Sequence, residues 1–207
     1  MKNGNVKILF LGATGTGKSS IIYRYHGKSY KEGPTVGVEV SSNMITNENL
    51  NPPTRIRLWD MGGARHWWMW IEHYIVDVDI LFIFYDVTDK KTLEIAGELL
   101  DGLCKRRMEF RTILVGNKTD LESQRVVSMF DVNQFIGLQR SKGWQLRHIE
   151  CSLQNITAFR KILDRVINGM KKINVPREFV TTGFNLDKSQ KETSWGLDFL
   201  WGQSQTT

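Results

Sequence analysis

Residues 5–19 read NVKILFLGATGTGKS, an apolar run leading directly into a glycine-rich octet, Gly12 to Ser19, that obeys G-x-x-x-x-G-K-[ST]. No other feature limits the possible folds as strongly. A glycine-rich turn between a buried strand and a helix N-terminus lets backbone N–H groups close around an anion, and the open helix end adds positive potential. Thr14, Gly15, Thr16, Gly17, Lys18, Ser19 and Ser20 are therefore candidate phosphate-binding positions. Lys18 would reach the β- and γ-phosphates of a nucleotide, and Ser19 would ligate Mg²⁺.

The strand–helix alternation continues along the chain. RIRLWD (55–60), ILFIFYD (80–86), RTILVG (111–116) and LRHIE (146–150) read as further strands. Most are too continuously apolar to expose a face, which predicts a sheet covered on both sides. Helical patterns fall near 18–26, 91–107, 128–141 and 155–171. In the last, Ile156, Phe159, Ile162, Leu163, Val166, Ile167 and Met170 share one face of a helical period. The expected fold is α/β, a P-loop NTPase with a mostly parallel six-stranded sheet and helices on both faces. VGVEVSSNMIT (36–46) and RIRLWD flank the turn-rich NENLNPPT and predict a hairpin that adds one antiparallel edge strand. Periodicity ends near Val175-Pro176, so 1–173 is expected to be one domain and 174–207 a polar tail. The tail carries one apolar island, SWGLDFLWG (194–202), which could dock on this domain, on a partner or on nothing.

Composition sets the outer limits. With 207 residues, 41% hydrophobic and 24% charged, the chain can bury one substantial core. No window of 18 uninterrupted apolar residues occurs, so no transmembrane helix is expected. Two cysteines, Cys104 and Cys151, suit a reducing, cytoplasmic setting without a disulfide framework. A net charge of +6 raises nucleic acid or an anionic membrane as partners. Lys and Arg are nevertheless spread out. The densest groups, Lys105-Arg106-Arg107 and Lys171-Lys172, lie near predicted helix ends, where cations meet the dipole. No nucleic-acid partner is expected.

NKTD, Asn117 to Asp120, follows the strand RTILVG. An Asn amide and a carboxylate just past a strand end can pair with the N7/O6 side and the N1/N2 donors of guanine. Adenine lacks that donor pair, so Asp120 would select the base. With these motifs in place, residues 5–172 resemble the small GTPases of the Ras superfamily, and among them the Rab proteins most. GPTVGVEV (33–40) resembles switch I and LWDMGG (58–63) the start of switch II, while FYDVTD (84–89) is close to a Rab stretch and ECSLQ (150–154) to the fifth nucleotide motif. The resemblance implies GTP/GDP and Mg²⁺ as cofactors. Ser19, Thr35 and Asp60 would hold the metal and the Gly63 N–H would meet the γ-phosphate. The base would lie against Tyr30 and be held by Asn117, Lys118, Asp120, Ser152 and Leu153. It also implies effectors, an exchange factor and a GTPase-activating protein as partners.

Several positions depart from the family pattern. Lys18 to Thr35 is two residues short, trimming switch I after Tyr30, and Gln154 replaces a Lys, which predicts a weaker hold on guanine. Thr14 sits where a side chain commonly slows hydrolysis, and WDMGG replaces the usual WDTAG. Most consequentially, Ala64 stands where the family carries the Gln that orients the attacking water. Intrinsic hydrolysis is expected to be slow; His66 could in principle orient water but is expected to be a solvated or packed histidine, and stimulated turnover is left to a partner. Trp67, Trp68 and Trp70 cannot all point inward from one short helix. At least one should pack beneath switch II and the remainder form a nucleotide-sensitive effector surface together with switch I. No Cys follows Cys151, so either a lipidated tail is missing or membranes are reached only through partners. The expected role is a GTP/GDP switch in vesicular or ciliary trafficking, acting in the cytoplasm or peripherally on membranes. The alternative is a non-hydrolysing scaffold subunit of a trafficking complex.

Overall fold

A computed structural model of the chain describes residues 5–29, 33–45, 53–103 and 110–171, with the side chains of 158 and 168–171 left out. Within them, six strands form one sheet: β1 (Asn5–Gly12), β2 (Val38–Ile45), β3 (Thr54–Met61), β4 (Ile80–Asp86), β5 (Arg111–Asn117) and β6 (Leu146–Glu150). Their spatial order is β2-β3-β1-β4-β5-β6. Every neighbouring pair is parallel except β2 with β3, which run antiparallel from Val38↔Met61 to Ile45↔Thr54. The expected antiparallel edge strand is therefore present.

The sheet divides the core in two because successive side chains on a strand point to opposite faces. Val6, Ile8 and Phe10 of β1 and Ile80, Phe82 and Phe84 of β4 face one layer. That layer is covered by α1 (Lys18–Tyr25) through Ile21 and Ile22 and by α5 (Ile156–Lys171) through Phe159, Leu163 and Ile167. The intervening Leu9, Leu11, Leu81, Ile83 and Tyr85 face the other layer. Its cover is α2 (Ile71–Tyr74), α3 (Lys90–Leu103) and α4 (Met129–Ser141). All seven residues of β4 are buried, which is why the sequence there runs apolar without alternation. On α5 the predicted face is the buried one, with Phe159, Leu163 and Ile167 fully covered and Ile156, Ile162 and Val166 partly so.

Expectations for Tyr30, Cys104, Lys105-Arg106-Arg107, Lys172, the side chain of Met170 and the boundary and tail beyond 173 lie outside the described residues. Periodicity did not anticipate the segment after β3. A 3₁₀ turn over Arg65–Trp70 runs into the four-residue α2, and neither is long enough to carry a helical repeat.

Candidate functional site

The glycine-rich loop leaves β1 and re-enters helix at Lys18, where Gly17 caps α1 with φ 88° and no side-chain capping bond. A left-handed cap favours glycine, and here space demands it too, because a Cβ would collide with Nδ2 of Asn117. The N-terminal N–H groups of α1 thus face a cleft. Thr14, Gly15, Lys18, Ser19 and Ser20 line one side of it, Pro34 and Thr35 face them, and Gly63 closes the end. Thr16 is the loop position that turns inward, its hydroxyl donating to the Ala13 carbonyl at 2.8 Å.

Two charged groups are sunk into this cleft. Lys18 is 4% exposed and its ammonium donates to the carbonyls of Gly12 and Ala13, each at 2.9 Å. Burial pushes its pKa down to about 8, with the Asp60 carboxylate opposing. Asp60, at the end of β3, is 3% exposed, and burial raises its pKa against the pull of Ser19, Lys18 and Thr35. The hydroxyls of Ser19 and Thr35 are 2.7 Å apart, and Thr35 Oγ1 donates to Asp60 Oδ2 at 3.2 Å. Oδ1 of Asp60 is buried with no hydrogen-bond partner. Three hard oxygen donors converging around an unsatisfied buried carboxylate oxygen fit Mg²⁺. A buried ammonium at an uncapped helix start fits phosphate. Gly63 lies so close to the loop that a Cβ would strike the backbone of Ala13 and Thr14.

A second group of polar side chains gathers where β5 and β6 finish. Asn117 is fully buried and its Nδ2 donates to the Thr16 carbonyl at 2.8 Å, tying this group to the phosphate loop. The Cys151 thiol points at its Oδ1 from 3.6 Å. Asp120 Oδ1 accepts from Ser152 Oγ at 2.5 Å, and Oδ2 accepts from Gln154 Nε2 at 3.4 Å. Leu153 packs on the α1/α5 layer beside them. Lys118, in the left-handed region at φ 69°, pairs with Asp86 Oδ2 at 2.5 Å. Burial pushes the Asp86 carboxyl up, but bonds from Lys118 and Thr88 outweigh it and hold it below the usual range. The hold of Asp86 on Lys118 is a contact between β4 and the loop after β5 that spacing does not reveal.

Ala64 offers only a methyl group beside Gly63. Arg65 is engaged with Glu98 at 2.6 Å and lies over the Trp68 ring at 5.1 Å, while the exposed His66 ring meets the Trp67 ring at a tilt of 54°, with centroids 4.6 Å apart. Trp67 and Trp68 are partly buried against the α3 layer, whereas Trp70 is 46% and Met69 71% exposed. The exposed apolar surface is thus Met69 and Trp70 more than Trp67 and Trp68.

Comparison with known proteins agrees with this geometry. The family model described as "Ras family" matches residues 7–172. The chain is 34% identical over 130 residues to Ras-related protein Rab-28 of Caenorhabditis elegans, covering 60% of this chain and about half (52%) of that relative's length. It is 24% identical to Ras-related protein RabC of Dictyostelium discoideum, over 80% of this chain and 83% of the relative. The same identity, 24%, is found to Ras-related protein Rab-7b of Bos taurus, over 83% and 87%. Fold, site geometry and these matches lead to one conclusion: the chain belongs to the Ras family, as a Rab-like small GTPase.

Proposed function

We propose that this chain is a guanine-nucleotide switch of membrane trafficking, bound to GTP or GDP with Mg²⁺ and slow to hydrolyse GTP on its own. The observation that carries the reading is the convergence of Ser19, Thr35 and Asp60 around a buried, unpartnered carboxylate oxygen, with buried Lys18 next to it. When bound, the metal neutralises phosphate charge. Lys18 and the N-terminus of α1 hold the phosphates, and the Gly63 N–H faces the terminal one. Asn117, Lys118 and Asp120, with Ser152 and Leu153 beside them, would hold guanine. A terminal phosphate contacting Thr35 and Gly63 would tighten both switch segments, and its loss would loosen them.

Slow hydrolysis follows from Ala64, since the neighbouring side chains are committed elsewhere: Arg65 to Glu98 and Trp68, His66 to Trp67. Effectors would meet switch I together with the exposed Met69–Trp70 surface. An exchange factor and an activating protein would set the timing. No helix among the described residues is long and apolar enough to cross a membrane. Cytoplasmic action, reaching vesicle or ciliary membranes through partners, completes the reading.

Single-turnover GTP hydrolysis with Mg²⁺, run beside Ala64→Gln, tests it. Slow turnover that quickens in the Gln variant supports a switch whose timing lies with a partner. No turnover in either protein, with nucleotide retained for days, overturns it in favour of a scaffold that keeps nucleotide as a structural cofactor.

A further inference from the structure

Gly62 stands where the resembling family carries Ala, in WDMGG for WDTAG. Its backbone does not ask for glycine, because it is absent from the left-handed glycines of the described chain. Space asks for it instead. A Cβ on Gly62 would stand 2.5 Å from the Thr35 carbonyl oxygen, 2.7 Å from Cδ1 of the Trp67 indole and 3.1 Å from its Nε1. One methyl group would therefore meet switch I and switch II at once. The same two segments are joined by the Gly62 N–H, which donates to the Gly37 carbonyl at 2.8 Å. The far edge of the indole reaches Gly37, with Cζ3 4.0 Å from where its Cβ would be. Trp67 is held from its own side by the N–H bond to the Ala64 carbonyl at 3.0 Å and by packing on the α3 layer.

We propose that Gly62 and Trp67 are a matched pair. The glycine leaves a slot between the switches, the indole fills it, and together they hold Thr35 beside Ser19 and Asp60 whichever nucleotide is bound. Trp67 is not among the residues that line the cleft and is a positioning residue. The inference rests on the reading of Thr35 as a Mg²⁺ ligand and adds to it a switch I whose order depends less on the terminal phosphate. It also accounts for the Gly that replaces the usual Ala in WDMGG.

Amide hydrogen exchange by mass spectrometry over peptides covering 33–38 tests the pair, in GDP–Mg²⁺-loaded and EDTA-stripped protein. In the unsubstituted chain switch I should stay protected in both forms. Trp67→Leu and Gly62→Ala should each speed exchange there by about tenfold, the size expected for side chains in direct contact. Each should also hasten release of a fluorescent GDP at limiting Mg²⁺. Because a Gly62 Cβ meets the indole as well as the Thr35 carbonyl, adding Gly62→Ala to Trp67→Leu should change either rate by less than Gly62→Ala does alone. Trp70→Leu should leave both unchanged. Exchange in β4 reports whether each variant is folded, and Trp67→Phe covers a leucine variant that is not. Unaltered switch I exchange in the folded Trp67 variants would overturn the proposal, as would a Gly62→Ala effect of equal size with and without the indole. Failure of the unsubstituted protein to retain GDP would sink the nucleotide reading instead, while the exchange rates would still decide the pair.

Discussion

Asp120→Asn exchanges one oxygen for an amino group in the cluster that would read the base. Ser152 donates to Asp120 Oδ1 at 2.5 Å, so the Asn oxygen would stay on that bond and the new NH₂ would take the place of Oδ2. A guanine N1/N2 donor pair would then face a donor. Losing a charge-assisted bond costs about 1.5–3 kcal/mol, and leaving the opposed donors unpaired adds to it, giving a total of about 2–4 kcal/mol. That corresponds to GDP binding about 30- to 700-fold weaker. Xanthine carries a carbonyl where guanine has its amine, so XDP should bind the variant better than GDP does. The phosphate end should be spared, because Asn117 keeps its 2.8 Å bond to Thr16 and Lys118 keeps Asp86. Competition of GDP, XDP and ADP against a fluorescent GDP measures all three. A GDP loss under about threefold, less than the value of one ordinary hydrogen bond, would refute the base assignment. So would an ADP gain equal to that of XDP.

Two further outcomes follow from the core. Phe159 is fully buried, with ring centroids 5.9 Å from Phe82 and 6.4 Å from Phe10, so Phe159→Ala should cost about 3–5 kcal/mol, read as a lower urea midpoint at unchanged slope. Burial, with Glu150 adding to it, pushes the Cys151 thiol up to about 12 from an ordinary 9.0, so in a Cys104→Ser background maleimide should label it at pH 8 only as fast as the protein opens. The sign is that of a raised acid. The folded state holds the proton longer, so this group's stabilising contribution is full below pH 9 and is lost as pH rises toward 12, which a Cys151→Ser comparison of unfolding midpoints would reveal.

Much of the fold was legible because its signals are local. The loop from Gly12 to Ser19 needs only its own glycines and the adjoining strand and helix, and β4 announces double-sided burial by six apolar or aromatic positions closed by Asp86. The α5 face could be counted off by period alone, and the β2–β3 hairpin is a neighbour contact across one turn. Ser19 and the NKTD residues follow from residue types and spacing that match one chemistry, whereas Thr35 and Asp60 follow from the resemblance of GPTVGVEV and LWDMGG to switch segments. Their mutual distances were not available from spacing.

What remained hidden depends on residues far apart in sequence. Short 3₁₀ turns lack a repeat to detect, so the path of Arg65–Trp70 came only from packing. Three adjacent tryptophans gave no indication of which would be buried; the core beneath α3 took Trp67 and Trp68 and left Trp70 outside. Gln154 looked like a loss until Asp120 came within reach of it, and Asp86 gained its role only when β4 met the loop after β5. The sequence alone determined the sheet, the phosphate loop and the inventory of polar groups, because each is written in neighbouring residues. Tertiary structure decided which groups touch, which oxygen of Asp60 is left unpaired and why Gly62 carries no methyl group, because those are properties of the space left between elements once they pack.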